Sequence, residues 1–275
     1  VDRAGEETSF AALALAADDD LGVMVNEEDH LRLQAFSAGF SLDQTWRRVD
    51  RLDEEFGAVL PYAFHHEFGF LTSCPTNVGT GLRASVLIHL PGLVLTKEIN
   101  TVLEGISQVG LTYRGLHGEG SEVVGNLFQL SNQTTLGKTE EELVDHLARV
   151  AGKVIDYERS ARAVLLREAP TVLEDKVWRA YGILRTARSL STREMLNLMS
   201  GLRLGVSLKL IRTPRVQTLN EILVLGQTAH RSRDVGGSLD GAEADAARAA
   251  YVRDRLAAED ESTPAGSDGP NGESN

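Results

Sequence analysis

The spacing of hydrophobic positions divides the chain into two halves with different periods. In the first half, short apolar runs rich in β-branched and aromatic residues alternate with glycine or proline, a pattern typical of strands joined by turns. In the second half, apolar residues recur every three or four positions, as on the buried face of a helix. The first pattern predicts strands at 22–25, 70–72, 84–90, 110–113 and 127–130.

Capping signals mark where several helices begin. Ser41, Thr139 and Ser191 are each followed three residues later by Gln or Glu, which is the spacing of a capping box. The first signal starts a helix that Gly57 ends, and the second starts a long helix to about residue 168. Further helices are predicted at about 172–188, 191–202, 215–225 and 242–258.

Composition excludes several classes of protein. The chain has 275 residues and a formal charge of -12, which argues against non-specific nucleic-acid binding. No apolar run approaches the roughly 18–20 residues that cross a bilayer, and the first residues show no charged-then-apolar pattern, so we expect no secretory leader. The single cysteine, Cys74, rules out an internal disulfide and fits a reducing cytoplasm. Residues 259–275 contain five acidic and no basic side chains, and this composition predicts a disordered tail.

Polar and special residues are concentrated in three segments among the strands: 25–32, 71–83 and 114–122. Each has a structural alternative. The first could be a solvated loop with local salt bridges, and the third a mobile glycine turn. Cys74 in the second could be a small buried hydrophobe. The glycine bend that follows it lacks the lysine and the spacing of a P-loop.

Together the three segments carry the groups that phosphoryl transfer requires. Arg32, Arg83 and Arg114 are planar, permanently charged forks suited to phosphate oxygens. Glu28 and Glu119 could hold a guanidinium by paired hydrogen bonds and accept its proton. Phosphoryl transfer needs in-line positioning and positive charge around the transferring group, usually with magnesium.

The same segments resemble a known enzyme family. Residues 26–32 (Asn-Glu-Glu-Asp-His-Leu-Arg), 74–85 (from Cys-Pro-Thr-Asn to Arg-Ala-Ser) and 114–119 (Arg-Gly, then Gly-Glu) are similar to the ATP:guanidino phosphotransferases, which include arginine and creatine kinases. The longer stretches 71–86, 118–122 and 125–133 resemble the bacterial protein arginine kinases more specifically. The resemblance covers roughly residues 20–258.

The resemblance implies roles for individual residues. Glu28 and Glu119 would grip the substrate guanidinium, one of them as catalytic base, and Cys74 would lie against it as a thiolate favoured by nearby positive charge. His30 and His117 keep the alternative of structural hydrogen-bonding, and Glu27, Asp29 and Glu122 would support the site. The residues expected to contact ATP are Arg32, Arg83, Ala84, Ser85, Val86, Leu87, Arg114, Gly115, Leu116, His117, Gly118 and Glu119.

The resemblance also implies a fold and a reaction. The fold would be α+β, with an antiparallel sheet flanked by helices in a guanido-kinase catalytic domain over 1–168. An all-α domain over 169–258 would bind phosphoarginine and dimerise, and the tail would follow. The reaction would transfer the γ-phosphate of ATP to arginine side chains of proteins. ATP and Mg²⁺ are the expected cofactors, and no cluster of side chains identifies a protein ligand for the metal.

Partners and location follow from the resemblance alone. We expect protein substrates bearing arginine, an activator protein, and a Clp-type ATPase and protease that degrades marked proteins under stress. We also expect a homodimer in the cytoplasm, with no membrane or nucleic-acid partner. One alternative is a kinase for free arginine, against which stands the helical extension over about 170–258. The other is a non-catalytic phosphoarginine-binding module, opposed by the presence of Glu28, Cys74 and Glu119.

The C-terminal helices depart from the family's pattern at one position. The family has an Arg-Asp-x-x-Arg-Ala motif linked to phosphoarginine sensing and allostery, and its counterpart here has alanine in place of the first arginine. By this resemblance Arg248 would hold the phosphate and Asp245 the guanidine. Loss of one arginine fork would weaken phosphoarginine binding. The motif comprises Ala244, Asp245, Ala246, Ala247, Arg248 and Ala249.

The other departure concerns the start of the sequence. The family has a Ser-x-x-Arg-x-Arg nucleotide-binding motif upstream of its catalytic segments, and nothing like it precedes Val25. We therefore expect residues 1–275 alone to bind ATP weakly and to transfer phosphate slowly, because each electrostatic stabiliser of this kind contributes roughly 100- to 1,000-fold in rate. Rapid arginine phosphorylation by the purified 275-residue chain, measured with labelled ATP, would contradict this expectation.

Overall fold

The protein has an α+β fold that is mostly helical. The computed structural model describes residues 10–17, 20–116 and 123–262, and within these ranges no helix is long and apolar enough to span a bilayer. The chain forms two compact units. The first comprises 1–88, 99–121 and 128–157, and the second comprises 89–98, 122–127 and 158–275.

The first unit holds most of the strands. Its elements are β1 (Ala12–Leu15), β2 (Leu21–Val25), β3 (Leu31–Ala35), α1 (Leu42–Gly57), β4 (Phe64–His65), β5 (Gly69–Phe70), a 3₁₀ turn (Pro75–Asn77), β6 (Ser85–His89), α3 (Ile99–Gln108), β7 (Leu111–Gly115), β8 (Leu127–Asn132) and the start of α4 (Glu140–Glu168). The first sheet is antiparallel and has the strand order β1-β2-β3. Strands β4 and β5 form a two-stranded hairpin, and the third sheet has the strand order β6-β8-β7.

The core of the first unit lies on its third sheet. Helix α3 packs on β7 and buries Leu103 and Ile106, while Leu130 of β8 is fully buried. The first turns of α4 bury Leu143 and Leu147, which are four residues apart and therefore share a face. Burial of such side chains from water is the main force that holds these elements together.

The second unit is a bundle of helices. Helix α5 packs on α6 and α9, and α9 also packs on α7 and α8. The backbones of α5 and α6 approach closely at Gly205, where a Cβ would lie 2.3 Å from Val177 Cγ1. The helices are α2 (Pro91–Leu95), the end of α4, α5 (Pro170–Thr186), α6 (Thr192–Ser207), α7 (Val216–Leu225), α8 (Thr228–Val235) and α9 (Gly241–Ser262).

A buried arginine joins four parts of the second unit. The side chain of Arg248, on α9, is 1% exposed. Its Nε donates to Gly226 O at 2.8 Å, after α7, and its Nη1 donates to Leu190 O at 2.6 Å, before α6. Nη1 also pairs with Asp245 at 2.6 Å, and Nη2 donates to Thr228 Oγ1 at 2.8 Å, at the start of α8. The guanidinium therefore satisfies the Gly226 carbonyl, which the end of α7 leaves without an intrahelical partner, and the Leu190 carbonyl in the loop before α6.

The predicted elements are present with shifted ends. β2, β5, β6, β7 and β8 correspond to the five predicted strands, and α1, α4, α5, α6, α7 and α9 correspond to the predicted helices. β1, β3, β4, α2, α3 and α8 have no counterpart among the predictions. These elements have two to ten residues, so they contain too few periodic positions to give a clear pattern.

Two of the three capping boxes contain side-chain capping bonds. Glu142 Oε2 accepts the Thr139 N–H at 3.0 Å while Thr139 Oγ1 accepts the Glu142 N–H at 3.2 Å. Ser191 Oγ accepts the N–H three residues on. The prediction of a capping box at Ser41 is wrong, because the Ser41 hydroxyl lies 2.6 Å from Ser37 Oγ and accepts no helical N–H.

The predicted tail begins too early. Helix α9 continues to Ser262, and Glu259 is only 6% exposed. Its carboxylate accepts hydrogen bonds from Arg215 Nε and from Thr218 Oγ1, both at 2.6 Å, and these bonds lower the pKa of Glu259 to about 2. Residues 263–275 lie outside the described part of the chain.

The contacts of Arg248 lead to a test of its contribution to stability. Arg248→Ala leaves buried carbonyls and Asp245 without their donor, so we expect the free energy of unfolding to fall by about 3–5 kcal/mol. Arg179→Ala is the matched control, because Arg179 pairs with Asp175 on the surface and should contribute less than about 1 kcal/mol. Urea unfolding followed by circular dichroism measures both, and equal effects would contradict the structural role.

Candidate active site

The first polar segment forms the turn of a hairpin in the first unit. Val25 at the end of β2 pairs with Leu31 at the start of β3, and the Asn26 N–H donates to His30 O at 3.0 Å. Asn26 has a φ of 54°, a left-handed conformation that asparagine tolerates better than most residues. Glu28 lies exposed in this turn, with no hydrogen-bond or ion-pair partner among the described residues. Its carboxylate is therefore available to a ligand.

A hydrogen bond joins the hairpin turn to the cysteine segment. Asp29 Oδ1 accepts the Ser73 N–H at 2.6 Å, so Glu28 and Cys74 each lie one residue from this bond. Arg32 on β3 pairs with Glu27 at 3.3 Å and keeps about half of its side chain exposed. The structure thus brings the first two motifs together, as the resemblance implies for substrate-binding residues.

Cys74 begins a short 3₁₀ turn. It is half-buried, and its Sγ lies 2.9 Å from Thr76 Oγ1. The Asn77 N–H and the Thr72 hydroxyl both donate to Cys74 O, at 3.0 and 2.7 Å, which fixes the backbone on which the sulfur is carried. The Thr76 hydroxyl is thus within hydrogen-bonding distance of the sulfur.

Thr135 holds the loop that follows Cys74. Its hydroxyl lies 3.0 Å from Thr76 O and 2.8 Å from Val78 O, and its own carbonyl accepts the Thr80 N–H at 2.9 Å. The backbones approach so closely at Gly79, where φ is 116°, that a Cβ would lie 2.3 Å from Thr135 O. Only glycine fits this position.

Asn132 holds the backbone on both sides of Arg83. It is 3% exposed, and its Oδ1 accepts the Ala84 N–H at 2.8 Å. Its Nδ2 donates to Leu82 O at 2.9 Å and to Thr134 O at 3.0 Å. The Arg83 side chain is exposed, with no hydrogen-bond or ion-pair partner within the described ranges. A fixed backbone with an open guanidinium suits the binding of a phosphate.

The other described residues predicted to contact ATP lie in or beside strands of the third sheet. Of the predicted stretch in β6, Ser85 and Leu87 are exposed while Ala84 and Val86 are half-buried. Arg114 on β7 is half-buried and faces Gln129 of β8 in the register; Gly115 is buried, and Leu116 begins the next turn. His117, Gly118, Glu119 and Glu122 lie outside the described residues.

Within the described ranges no group of three or more His, Cys, Asp or Glu side chains could hold a metal ion. Mg²⁺ is ordinarily bound through nucleotide phosphates and water, with few protein ligands. The arginines of the site would then bind the same phosphates from other directions.

The predicted phosphoarginine motif does not face solvent. Ala244 is 2% and Arg248 is 1% exposed, and every donor contact of Arg248 in the second unit goes to the protein itself. In this conformation Arg248 cannot also hold a phosphate, and Asp245 pairs with Arg248. An arginine at position 244 would have to enter the core. Of the other motif residues, Ala249 is buried, Ala247 half-buried and Ala246 exposed.

The residues that position the site were not found from the sequence. Asn132 and Thr135 act on backbone groups 48 to 59 residues away, and no local pattern shows such a contact. One signal was present, because Asn132 is a polar residue at the end of an apolar strand. Asp29 was predicted to support the site, and its bond to Ser73 gives it a specific role.

Comparison with known families identifies the two regions. Residues 3–161 match the family described as ATP:guanido phosphotransferase, C-terminal catalytic domain. This chain belongs to that family. Residues 170–266 match the family described as protein-arginine kinase McsB C-terminal domain. The chain is therefore a phosphotransferase of the guanidino kinase type, which uses ATP.

Individual relatives agree with this assignment. The protein-arginine kinase of Symbiobacterium thermophilum is 47% identical over 253 residues, which cover 92% of this chain and 72% of that protein. The protein-arginine kinase of Bacillus subtilis is 44% identical over 250 residues, or 91% of this chain and 69% of that protein. Among solved structures, the duplicated taurocyamine kinase from Schistosoma mansoni with bound transition state analog components has a TM-score of 0.50 and 28% identity, covering 66% of this chain and 26% of that one.

The Cys74–Thr76 contact can be tested by substitution. Thr76→Val keeps the shape but removes the hydroxyl 2.9 Å from Sγ, so we expect iodoacetamide to label Cys74 about three- to tenfold more slowly near neutral pH, as the thiolate loses a hydrogen bond. Cys74→Ser gives the unlabelled control. An unchanged labelling rate in Thr76→Val would show that the hydroxyl does not act on the sulfur.

Proposed function

We propose that the protein transfers the γ-phosphate of ATP to arginine side chains of other proteins. The observation that carries this proposal is the Asp29–Ser73 hydrogen bond, which brings the open carboxylate of Glu28 beside the Cys74 segment. A carboxylate and a sulfur carried on two segments that are hydrogen-bonded to each other suit a planar cation with several N–H donors, such as a guanidinium. The 44–47% identity to protein-arginine kinases supports protein arginine as the acceptor.

In the proposed reaction Glu28 accepts hydrogen bonds from the substrate guanidinium and orients it. A guanidine nitrogen attacks the γ-phosphorus, the bond from that phosphorus to the bridging oxygen breaks, and ADP leaves. The proton from the guanidinium passes to a carboxylate, and Glu28 and Glu119 are the candidates. The phosphates of ATP are bound by Arg32, Arg83 and Arg114. Mg²⁺ bound to the nucleotide would offset part of the negative charge of these phosphates.

The biological setting is proposed from the family resemblance. Phosphoarginine marks would direct proteins to a Clp-type protease in the stress response of the cytoplasm, with an activator protein controlling the kinase. The helical unit, of which residues 170–266 match a protein-arginine kinase C-terminal domain, would by the same resemblance form a homodimer and sense phosphoarginine. Because Arg248 is buried and makes four hydrogen bonds to protein oxygens, sensing in this conformation would need other residues of that unit.

A substitution at Glu28 tests the proposed reaction. The protein is incubated with ATP, magnesium and an arginine-rich protein under single-turnover conditions, and phosphoarginine is detected by mass spectrometry. Glu28→Gln keeps the shape but removes the charge that holds the guanidinium, so we expect the rate to fall roughly 100- to 1,000-fold. Glu104→Gln, on the exposed side of α3, should leave the rate unchanged.

The choice of acceptor separates the two enzyme alternatives. Free arginine should be phosphorylated far more slowly than the protein acceptor. A kinase for free arginine would show the opposite preference. Equal rates for Glu28→Gln and the unchanged protein would remove Glu28 from the reaction.

A further inference from the structure

The first unit contains a cavity that the proposed reaction does not use. Its volume is about 410 Å³, enough to admit one or two side chains of another polypeptide. The β4–β5 hairpin lines one side, and the 136–139 turn with the first residues of α4 lines the other. None of Glu28, Arg32, Cys74, Arg83 or Arg114 lines it.

One wall of the cavity is aromatic. Phe64, Phe68 and Phe70 contribute to the lining, and the rings of Phe64 and Phe70 meet edge to face with centroids 5.3 Å apart. Phe64 is 61% exposed and Phe68 is 49% exposed, so much of the aromatic surface is uncovered. Phe70 is held from behind by Tyr62, whose ring centroid lies 5.8 Å away. Open aromatic faces attract cations.

Tyr62 keeps this wall in place. Its hydroxyl donates to Asp53 Oδ1 of α1 at 3.0 Å. Burial, followed by the interaction with Asp53, raises the pKa of Tyr62 to about 12, so the hydroxyl stays protonated and remains a donor. The hairpin is thereby tied to α1, and the aromatic wall is formed before any ligand arrives.

The polar part of the lining is mostly acidic. Three glutamates, Glu67, Glu140 and Glu142, line the cavity with one basic side chain, Lys138. Glu142 is occupied by the Thr139 N–H, whereas the carboxylates of Glu67 and Glu140 have no partner among the described residues. The capping box satisfies the Thr139 and Glu142 N–H groups at the start of α4, and the carboxylates of the first turn, Glu140, Glu141 and Glu142, offset the positive end of the helix dipole. The cavity therefore favours a cation.

The cavity lies on the segment that leads into the Cys74 loop. Phe70 and Gly79 exchange backbone hydrogen bonds, at 2.8 and 3.2 Å, and both line the cavity. Thr135, which holds Thr76 and Val78, also lines it. The lining residues Phe70 and Gly79 lie only four and five positions from Cys74 in the chain, and an extended substrate advances about 3.3–3.6 Å per residue, so the residues to test are those a few positions from the target arginine.

We infer that this cavity, formed by Phe64, Phe68, Glu67 and Glu140, binds a basic side chain that flanks the target arginine in a protein substrate. The inference rests on the proposed function, because it names a feature of the same substrate. A lysine or arginine there places its alkyl chain on the phenyl rings and its charge between the two free carboxylates. The enzyme thereby prefers arginines in basic segments.

The preference is tested with a set of peptides that each contain one arginine. Lysine, which cannot accept phosphate in this reaction, is placed at each of the four positions before and after the arginine, with glutamine as the neutral reference. At one position or more, we expect lysine to lower KM by about three- to tenfold with kcat unchanged, since an exposed ion pair and a cation–π contact each add a small amount. The double variant Glu67→Gln/Glu140→Gln should abolish the difference.

Matched variants distinguish the effect of the cavity from the effect of the protein's overall negative charge. Glu141→Gln removes a carboxylate between Glu140 and Glu142 that does not line the cavity, and it should preserve the lysine preference. Phe64→Leu should reduce the preference, whereas Phe36→Leu, at an equally exposed ring outside the cavity, should not. A preference that survives the double variant, or no preference at any position, would overturn the inference.

Binding measurements keep the inference independent of turnover. Labelled peptides in which citrulline replaces the arginine are titrated by fluorescence anisotropy, with lysine or glutamine at the flanking position. If the lysine peptide binds more tightly and this difference is lost in the double variant, the cavity is supported even when no peptide is phosphorylated. The absence of phosphorylation would then count against the proposed function alone. Phosphorylation without any lysine preference would reject the cavity alone.

Discussion

The active site depends on side-chain hydrogen bonds from Asn132 and Thr135 to the backbone of residues 76–84. This loop contains Gly79 at a positive φ and carries Arg83, which has no partner among the described residues, so its own sequence does not hold it in one conformation. The side chains of Asn132 and Thr135 engage four backbone groups of the loop, and their main-chain groups engage two more. Because both are buried, these bonds are shielded from competing water. Arginines that bind phosphates need such a fixed backbone, since misplacement by about 1 Å is costly for catalysis.

The second unit uses buried polar groups in a similar way but for stability. Glu158, which is 4% exposed, accepts the Gly92 and Leu93 N–H groups at the start of α2 and pairs with Arg162. Burial is the main cause that lowers the pKa of His89 to about 3, and the positive charges of Arg203 and Arg162 add to it. The imidazole is therefore neutral, and it hydrogen-bonds with the Ser200 hydroxyl. These groups and Arg248 join segments that are distant in sequence. Ionic and polar contacts thus determine which segments of the second unit lie against each other. Burial of apolar side chains supplies the main force that holds these segments together.

The sequence predicted the polar segments of the site better than their supports. The hairpin with Glu28, the turn with Cys74 and the positions of Arg83 and Arg114 follow from short motifs at strand ends, where local pattern is informative. The inward direction of the Arg248 side chain does not follow from any local motif. Helix α9 is rich in alanine on all sides, so its sequence does not distinguish a buried face from an exposed one. Packing against α5, α7 and α8 decides it, and that packing turns Arg248 inward. The same limit applies to Asn132 and Thr135, whose partners lie far along the chain.

The burial of Arg248 has a chemical consequence for an enzyme with the proposed activity. Such an enzyme carries, in its own arginines, the functional group that it modifies, and any of them that reaches a nucleotide is a potential acceptor. Arg248 is removed from this competition, because its nitrogens already donate to protein oxygens and its side chain is 1% exposed. Addition of a phosphoryl group there would require the ends of α6, α7 and α8 to separate first. The fold therefore protects the guanidinium on which its helical unit depends from the reaction that the other unit performs.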